Sequence, residues 1–224
     1  DEMTHSGTEA ELVVGCDSAL RVANVPEVAF DVYVAKDTYS FLDSHKIKNQ
    51  PVVPAVTVLE WFNRAVSACN PQLAVKSCKN LKVLRGIKMD ALRNQRRLVR
   101  IILDRKIRGT CPEIYDATVT DAQGAVYYSA QLEVLPRNKL VRPENTKRPE
   151  LPNESYPFNS KQIYDKKLFH GPAFQVIDRV QGINGKGIAS VLDGGRSLNG
   201  QNWQTDSALY DGGLQSAILW GLHV

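Results

Sequence analysis

Among the protein side chains, imidazole is the one that titrates near neutral pH. His45 sits in the stretch LDSHKIKNQPVVPAVTVLEWFNRAVSA, Leu42 to Ala68, just ahead of a long apolar run. Backbone N–H groups at the start of a helix can hold a carbonyl oxygen as it turns into an oxyanion, while an imidazole beside them takes a proton. The same histidine also fits a plainer role, as a loop residue that caps a turn or faces solvent. A second acid–base candidate is the carboxyl of Asp211. Gln215 follows it at i+4, on the same helical face, where its amide can hold that carboxyl by a hydrogen bond. His170 lies in a His-Gly-Pro turn, a setting that suits a structural or lining role. Each polar group also has a surface reading: Asp211 as a helix-turn residue, Gln215 as solvated helix face.

The elements that must position these groups are legible around them. From Ala55 to Ala68 no glycine or proline interrupts a helix, and Pro54 fits its first turn, where a missing N–H costs nothing. Thr57, Glu60, Asn63, Arg64 and Ser67 make one narrow polar stripe. The rest is apolar, so the helix is one that other elements wrap. Asn70-Pro71 ends it. Val28–Ala35 ahead of it alternates as a strand, and Leu12-Val13-Val14 is a further β-rich run. Strands are expected at Leu81–Ile87, Arg97–Arg105, Ile114–Thr120 and Ala125–Leu135, the last two joined by the turn Asp121–Gly124. A buried helix and an antiparallel sheet with one apolar face must cover each other, which predicts a sheet curled around the helix.

The segment 136–160 holds five prolines among charged residues and reads as a linker. Beyond it the pattern resumes in 161–224. Ala173–Val180 and Lys186–Leu192 read as strands, and a mostly apolar helix capped by Asp206 or Ser207 runs to Leu222. The second unit thus starts as the first does, in 11–135, and ends without the strands that followed the first helix. A second unit lacking its closing strands is the expectation. Residues 1–10 read as a disordered tail or linker. Gly212-Gly213 weakens the last helix by about 1 kcal/mol per glycine relative to alanine, which suggests a close approach there.

The net charge of +4 is mild. It suits an acidic protein partner and gives no reason to expect nucleic acid. The short run Arg93–Arg100 reads as a hairpin with a charged face. Cys16, Cys69, Cys78 and Cys111 show no zinc-ligand spacing, and reduced thiols in a cytoplasmic protein are the expectation. No apolar run reaches the roughly 18 residues of a membrane span.

Three segments carry a family resemblance. HKIKNQPVVP, His45 to Pro54, resembles the HxxxGxxxxP signature of polyketide-synthase dehydratase domains. FHGPAFQVI, Phe169 to Ile177, resembles their HGPxF segment, and DGGLQ, Asp211 to Gln215, their DxxxQ signature. The order is the family's, from about Val28 onward, and PVVPAVTVLEWF is most similar to the dehydratase-like domains of polyunsaturated-fatty-acid synthases. The resemblance implies an α+β double hot dog, two units in each of which an antiparallel sheet wraps a long central helix. It implies removal of water from a 3-hydroxyacyl thioester on an acyl carrier protein, with His45 as base and Asp211 as acid, in a cytoplasmic multidomain synthase. Gln215 would support Asp211, and N–H groups at Val53 and Ala55, flanking Pro54, would hold the thioester carbonyl. His170, Gly171, Pro172, Phe174 and Tyr210 would line the tunnel. No metal or redox cofactor is needed; the substrate arrives on phosphopantetheine. The implied partners are the carrier protein, other synthase domains and a second copy in a homodimer. Asn49 departs from the pattern by replacing the glycine. Asparagine is the next most tolerant residue for a left-handed turn. The resemblance also extends to product-template aldol cyclases, and a non-catalytic acyl-binding scaffold is a reading of a different class.

Overall fold

The computed structural model describes residues 28–35, 37–89, 96–107, 111–140, 150–194, 198 and 203–224. The expected N-terminal tail, the Leu12–Val14 run, Cys16, residues 93–95 of the basic hairpin and residues 141–149 of the linker lie outside them.

In chain order, strand β1 (Val28–Val34) leads through a 3-10 turn (Ser40–Ser44) into a small hairpin of β2 (Lys46–Ile47) and β3 (Gln50–Pro51). Helix α1 (Ala55–Cys69) follows. Then come β4 (Leu73–Val83), β5 (Arg97–Ile107), β6 (Glu113–Thr120) and β7 (Val126–Pro136). These long strands form one antiparallel sheet in the order β1-β5-β6-β7-β4. Side chains alternate across it. Val99, Ile101 and Leu103 of β5, Tyr115, Ala117 and Val119 of β6, and Tyr128, Ala130, Leu132 and Val134 of β7 are all buried. They share one core with Val56, Val58, Trp61, Phe62, Ala65 and Val66 of α1. Burying each large apolar side chain contributes about 1.5–3 kcal/mol. A sheet wrapped around a helix apolar on most sides is the hot-dog arrangement, in the α+β class.

Two features of this first part differ from the sequence reading. Pro54 is the N-cap of α1 (φ −63°), one position ahead of the first turn. The strand expected at Leu81–Ile87 begins earlier, at Leu73. It is an edge strand with register shifts after Val75 and Lys79 and a positive φ at Asn80. Its exposed Lys76, Lys79 and Lys82 hide the apolar alternation while discouraging edge-to-edge pairing.

Past β7 lie α2 (Ser160–Lys166), a 3-10 turn (Pro172–Phe174), the hairpin β8 (Ile177–Asn184) and β9 (Gly187–Leu192), and α3 (Ser207–Gly221). Ile163, Leu168, Ile177 and Leu219 form a second, smaller core. The strand expected at Ala173–Val180 is a turn before it is a strand, because Pro172 opens a 3-10 turn that buries Phe174. Helix α2 was not foreseen. Its sequence signal is the capping box Asn159–Gln162, where each side chain bonds the other residue's backbone N–H. Asp206 caps α3 by accepting from the Leu209 N–H. The inner face of α3 carries Asp211, Gly212, Gln215 and Ser216, all buried, while Leu209, Leu214 and Ile218 face outward.

Candidate active site

His45 is held by its own backbone on both sides. Its N–H donates to Leu42 O at 3.0 Å, and its carbonyl accepts from Val52 N at 3.0 Å. The β2–β3 hairpin that returns the chain to Val52 has a two-residue loop, Lys48-Asn49, with φ of 51° and 64°. Two positive φ values are what a type I′ turn demands, and Asn49 satisfies its share without glycine. The imidazole Nδ1 lies 2.8 Å from Val52 O. A carbonyl only accepts, so Nδ1 carries the hydrogen and Nε2 keeps its lone pair.

Asp211 sits on the inner face of α3, 4 % exposed. Gln215, one turn on, donates from Nε2 to Asp211 Oδ2 at 2.7 Å and to Phe174 O at 2.9 Å. Its Oε1 accepts from the Tyr164 hydroxyl at 2.9 Å, and that hydroxyl accepts from Ile177 N–H at 2.8 Å. A fully buried amide with every group engaged cannot rotate freely, so the carboxyl is fixed through it.

His170 joins the two. It forms an isolated antiparallel bridge with His45, and Gly171 N–H donates to Ser44 O at 2.7 Å. A Cβ on Gly171 would sit 2.9 Å from Ser44 Cα, so only glycine lets these backbones meet. His170 Nε2 lies 3.3 Å from Asp211 Oδ2. His170 Nδ1 is buried without a partner. A bare lone pair there is less costly than a bare N–H, so Nε2 is the protonated nitrogen and donates to Oδ2. Phe169 stacks on His170, with centroids 4.0 Å apart, and Phe174 meets His45 edge-on at 5.7 Å. One donor atom each from His45, His170 and Asp211 lie within 4.8 Å of one another.

Burial sets the charge states. It lowers the His45 pKa, against the partial opposition of the Val52 carbonyl and Asp211. It pushes His170 down to about 4, with His45 adding to the effect. It raises Asp211, against the Gln215 hydrogen bond and His45. An ion pair between His170 and Asp211 is therefore not what their 3.3 Å separation represents, because both groups are driven toward their neutral forms. The arrangement is a neutral imidazole with a free lone pair facing a carboxyl with raised proton affinity. It can take a proton at one point and give one at another a few ångströms away.

The structure thus assembles His45, Asp211, Gln215, His170, Gly171 and Phe174 in one place. Pro172 stands beside them at the start of the 3-10 turn. Two expectations need correction. Val53 N–H is already bonded to Ile87 O at 2.9 Å, which removes it as an oxyanion donor. Ala55, the first residue of α1, keeps an N–H with no intrahelical acceptor. Tyr210 is 57 % exposed, because it leads into Asp211 from the outer face of α3, and lines no wall of this cluster. The close approach expected at Gly212-Gly213 is present at Gly212, where it is one of packing. A Cβ on Gly212 would lie 2.6 Å from Val176 Cγ2, and one on Gly213 meets nothing within 4 Å.

Two residues of the site were missed. Tyr164 is one, and the capping box of α2 was the available signal. The other is Glu60, read only as part of the polar stripe of α1 but 1 % exposed. Its carboxylate accepts from Gln204 N–H and Thr205 N–H, both at 2.9 Å, and from Thr205 Oγ1 at 2.7 Å. It thereby ties α1 to the residues that lead into α3.

No family model and no curated protein sequence matches the chain. Solved structures do. The dehydratase domain from the CurF module of the curacin polyketide synthase superposes with a TM-score of 0.63 at 14% identity, over 87% of this chain and 72% of that one. The dehydratase domain from the CurJ module of the same synthase gives 0.62 at 18% identity, over 91% and 70%. A trans-AT polyketide-synthase dehydratase domain from Brevibacillus brevis gives 0.59 at 16% identity, over 84% and 72%. The chain has the fold of polyketide-synthase dehydratase domains.

Proposed function

We propose that this chain is a dehydratase domain of a polyketide or polyunsaturated-fatty-acid synthase, removing water from a 3-hydroxyacyl thioester delivered by an acyl carrier protein. The observation that carries this reading is the pairing of His45 and Asp211 within 4.8 Å, with burial pushing the imidazole pKa down and the carboxyl pKa up. A base is needed at the α-carbon and an acid at the β-hydroxyl, and this pair supplies both. His45 Nε2 takes the α-proton. The electron pair moves toward the thioester carbonyl, and in this reading the Ala55 N–H at the start of α1 is the donor to its oxygen. The Cα–Cβ double bond forms as the Cβ–O bond breaks, and Asp211 protonates the departing hydroxide to give water. Gln215 and His170 both donate to Oδ2, which leaves Oδ1 to carry the proton. Residues 161–224 belong to a second hot-dog unit in this reading, supported by α3, the β8–β9 hairpin and the likeness to dehydratase domains.

The test is conversion of a 3-hydroxyacyl thioester of pantetheine to the 2-enoyl thioester, followed by its ultraviolet absorbance. His45→Ala and Asp211→Asn should each lower kcat by at least 10²-fold, the scale of a lost general acid or base. Turnover unchanged in His45→Ala would leave a scaffold or acyl-binding role.

A further inference from the structure

The proposed dehydration uses one imidazole and one carboxyl, yet the site holds a second imidazole. We infer that His45, His170 and Asp211 also form a binding site for a borderline divalent cation, Zn2+ being the best fit. Two imidazole nitrogens and one carboxylate oxygen are a three-ligand set for zinc that leaves a fourth position open. All three side chains are buried, and one donor atom from each lies within 4.8 Å of the others. Around a tetrahedral zinc, ligand atoms stand roughly 3.4 Å apart. His170 Nε2 and Asp211 Oδ2 are already 3.3 Å apart. The remaining separations, at most 4.8 Å, need to close by about 1.4 Å or less to reach that spacing.

The surroundings favour ligation unequally. His45 Nδ1–H donates to Val52 O, the outer contact that orients a metal-bound imidazole and leaves Nε2 for the ion. Gln215 holds Asp211 in the same way. His170 has no such partner at Nδ1. To ligate through Nε2 it must move its hydrogen to Nδ1, where no acceptor waits. Binding is therefore weaker than at a fully buttressed zinc site, by about 10–100-fold. The cation would occupy the His45 lone pair and the Asp211 carboxylate, so a site loaded with zinc has neither base nor acid. Zinc binding stands on these three side chains whether or not the site dehydrates anything.

The experiment uses the 224-residue chain, stripped with a chelator and then dialysed. Zn2+ is titrated against a chromogenic competitor, and Co2+ is added to a parallel sample for its visible spectrum. One equivalent of Zn2+ should bind, with tetrahedral Co2+ bands and no thiolate charge-transfer band. His45→Ala, His170→Phe and Asp211→Asn should each weaken binding by at least tenfold, while His5→Ala and His223→Ala leave it unchanged. Circular dichroism identifies any variant that fails to fold, and the wild-type Co2+ spectrum then decides alone. No stoichiometric binding, a thiolate band, or binding unaltered in the three ligand variants would overturn the inference. Turnover is measured separately in chelator: a chain that binds zinc without dehydrating refutes the proposed function and leaves the metal site standing.

Discussion

Removing the Glu60 carboxylate should uncouple the two halves of the site. Glu60 leaves α1 one turn past its start and reaches residues 204 and 205, immediately ahead of the cap of α3. Three of its bonds, from Gln204 N–H, Thr205 N–H and Thr205 Oγ1, are part-buried, with the Glu60 end fully enclosed. The fourth, from Arg64, involves a side chain 42% exposed and contributes little. Net hydrogen bonds contribute about 1 kcal/mol each, more to a charged acceptor, and a buried donor left unpaired costs about 1–3 kcal/mol. Glu60→Ala should therefore destabilise by about 3–4 kcal/mol. For a chain of this size each kcal/mol moves Tm by about 2–4 °C, so a fall of roughly 10 °C is expected. Glu60→Gln keeps one acceptor oxygen and should lose about half as much. Urea and thermal unfolding measure the first quantity, and kcat for the thioester elimination the second. At a temperature where the variant is folded, kcat should fall about tenfold or more, because a shift near 1 Å at Asp211 is enough to spoil proton delivery. A Glu60→Ala protein within about 1 kcal/mol of wild type, or one with full kcat when folded, would refute the coupling.

Four further outcomes are expected. The activity profile against pH should be a bell: protonation of His45 removes the base on the acid side, at a pH below the usual imidazole range, and ionisation of Asp211 removes the acid on the other, at a pH above the usual carboxylate range. Because the Asp211 pKa is raised on folding, its stabilising effect is present at low pH and lost as pH rises through the folded value; Asp211→Asn should flatten that decline in urea midpoints. Gly171→Ala should cost about 1–3 kcal/mol in unfolding experiments, since its Cβ would press on the Ser44 backbone and part the His45–His170 bridge. Tyr164→Phe strips the Gln215 Oε1 and Ile177 N–H of their partner; a loss of about 1–2 kcal/mol and a severalfold fall in kcat with KM little changed are expected from unfolding and steady-state assays.

Reading the chain alone reached the elements whose residues repeat with a clean period. An unbroken apolar stretch can only be a wrapped helix, and α1 lies within a residue of its expected ends. Strands β5, β6 and β7 bury every second residue through their central stretches, and their positions were legible to within two residues. Strand β4 was not, since an edge strand studded with lysine has no apolar face to announce. His45, Asp211 and Gln215 were nameable through motifs and helical spacing, which are local properties.

What only the tertiary structure decided is contact between segments far apart in sequence. His45 and His170 meet because Gly171 admits the Ser44 backbone. The Val53 N–H is consumed by Ile87, a residue on another segment. Glu60 looks like surface beside Asn63 and Arg64, yet it is buried because residues 204 and 205 fold over it and present donors. Whether a polar side chain faces water or a distant backbone N–H depends on chain closure across more than a hundred residues, and no periodicity records that. The proton affinities follow the same rule: residue type set the starting values of His45 and Asp211, and burial, a property of the assembled core, moved them in opposite directions.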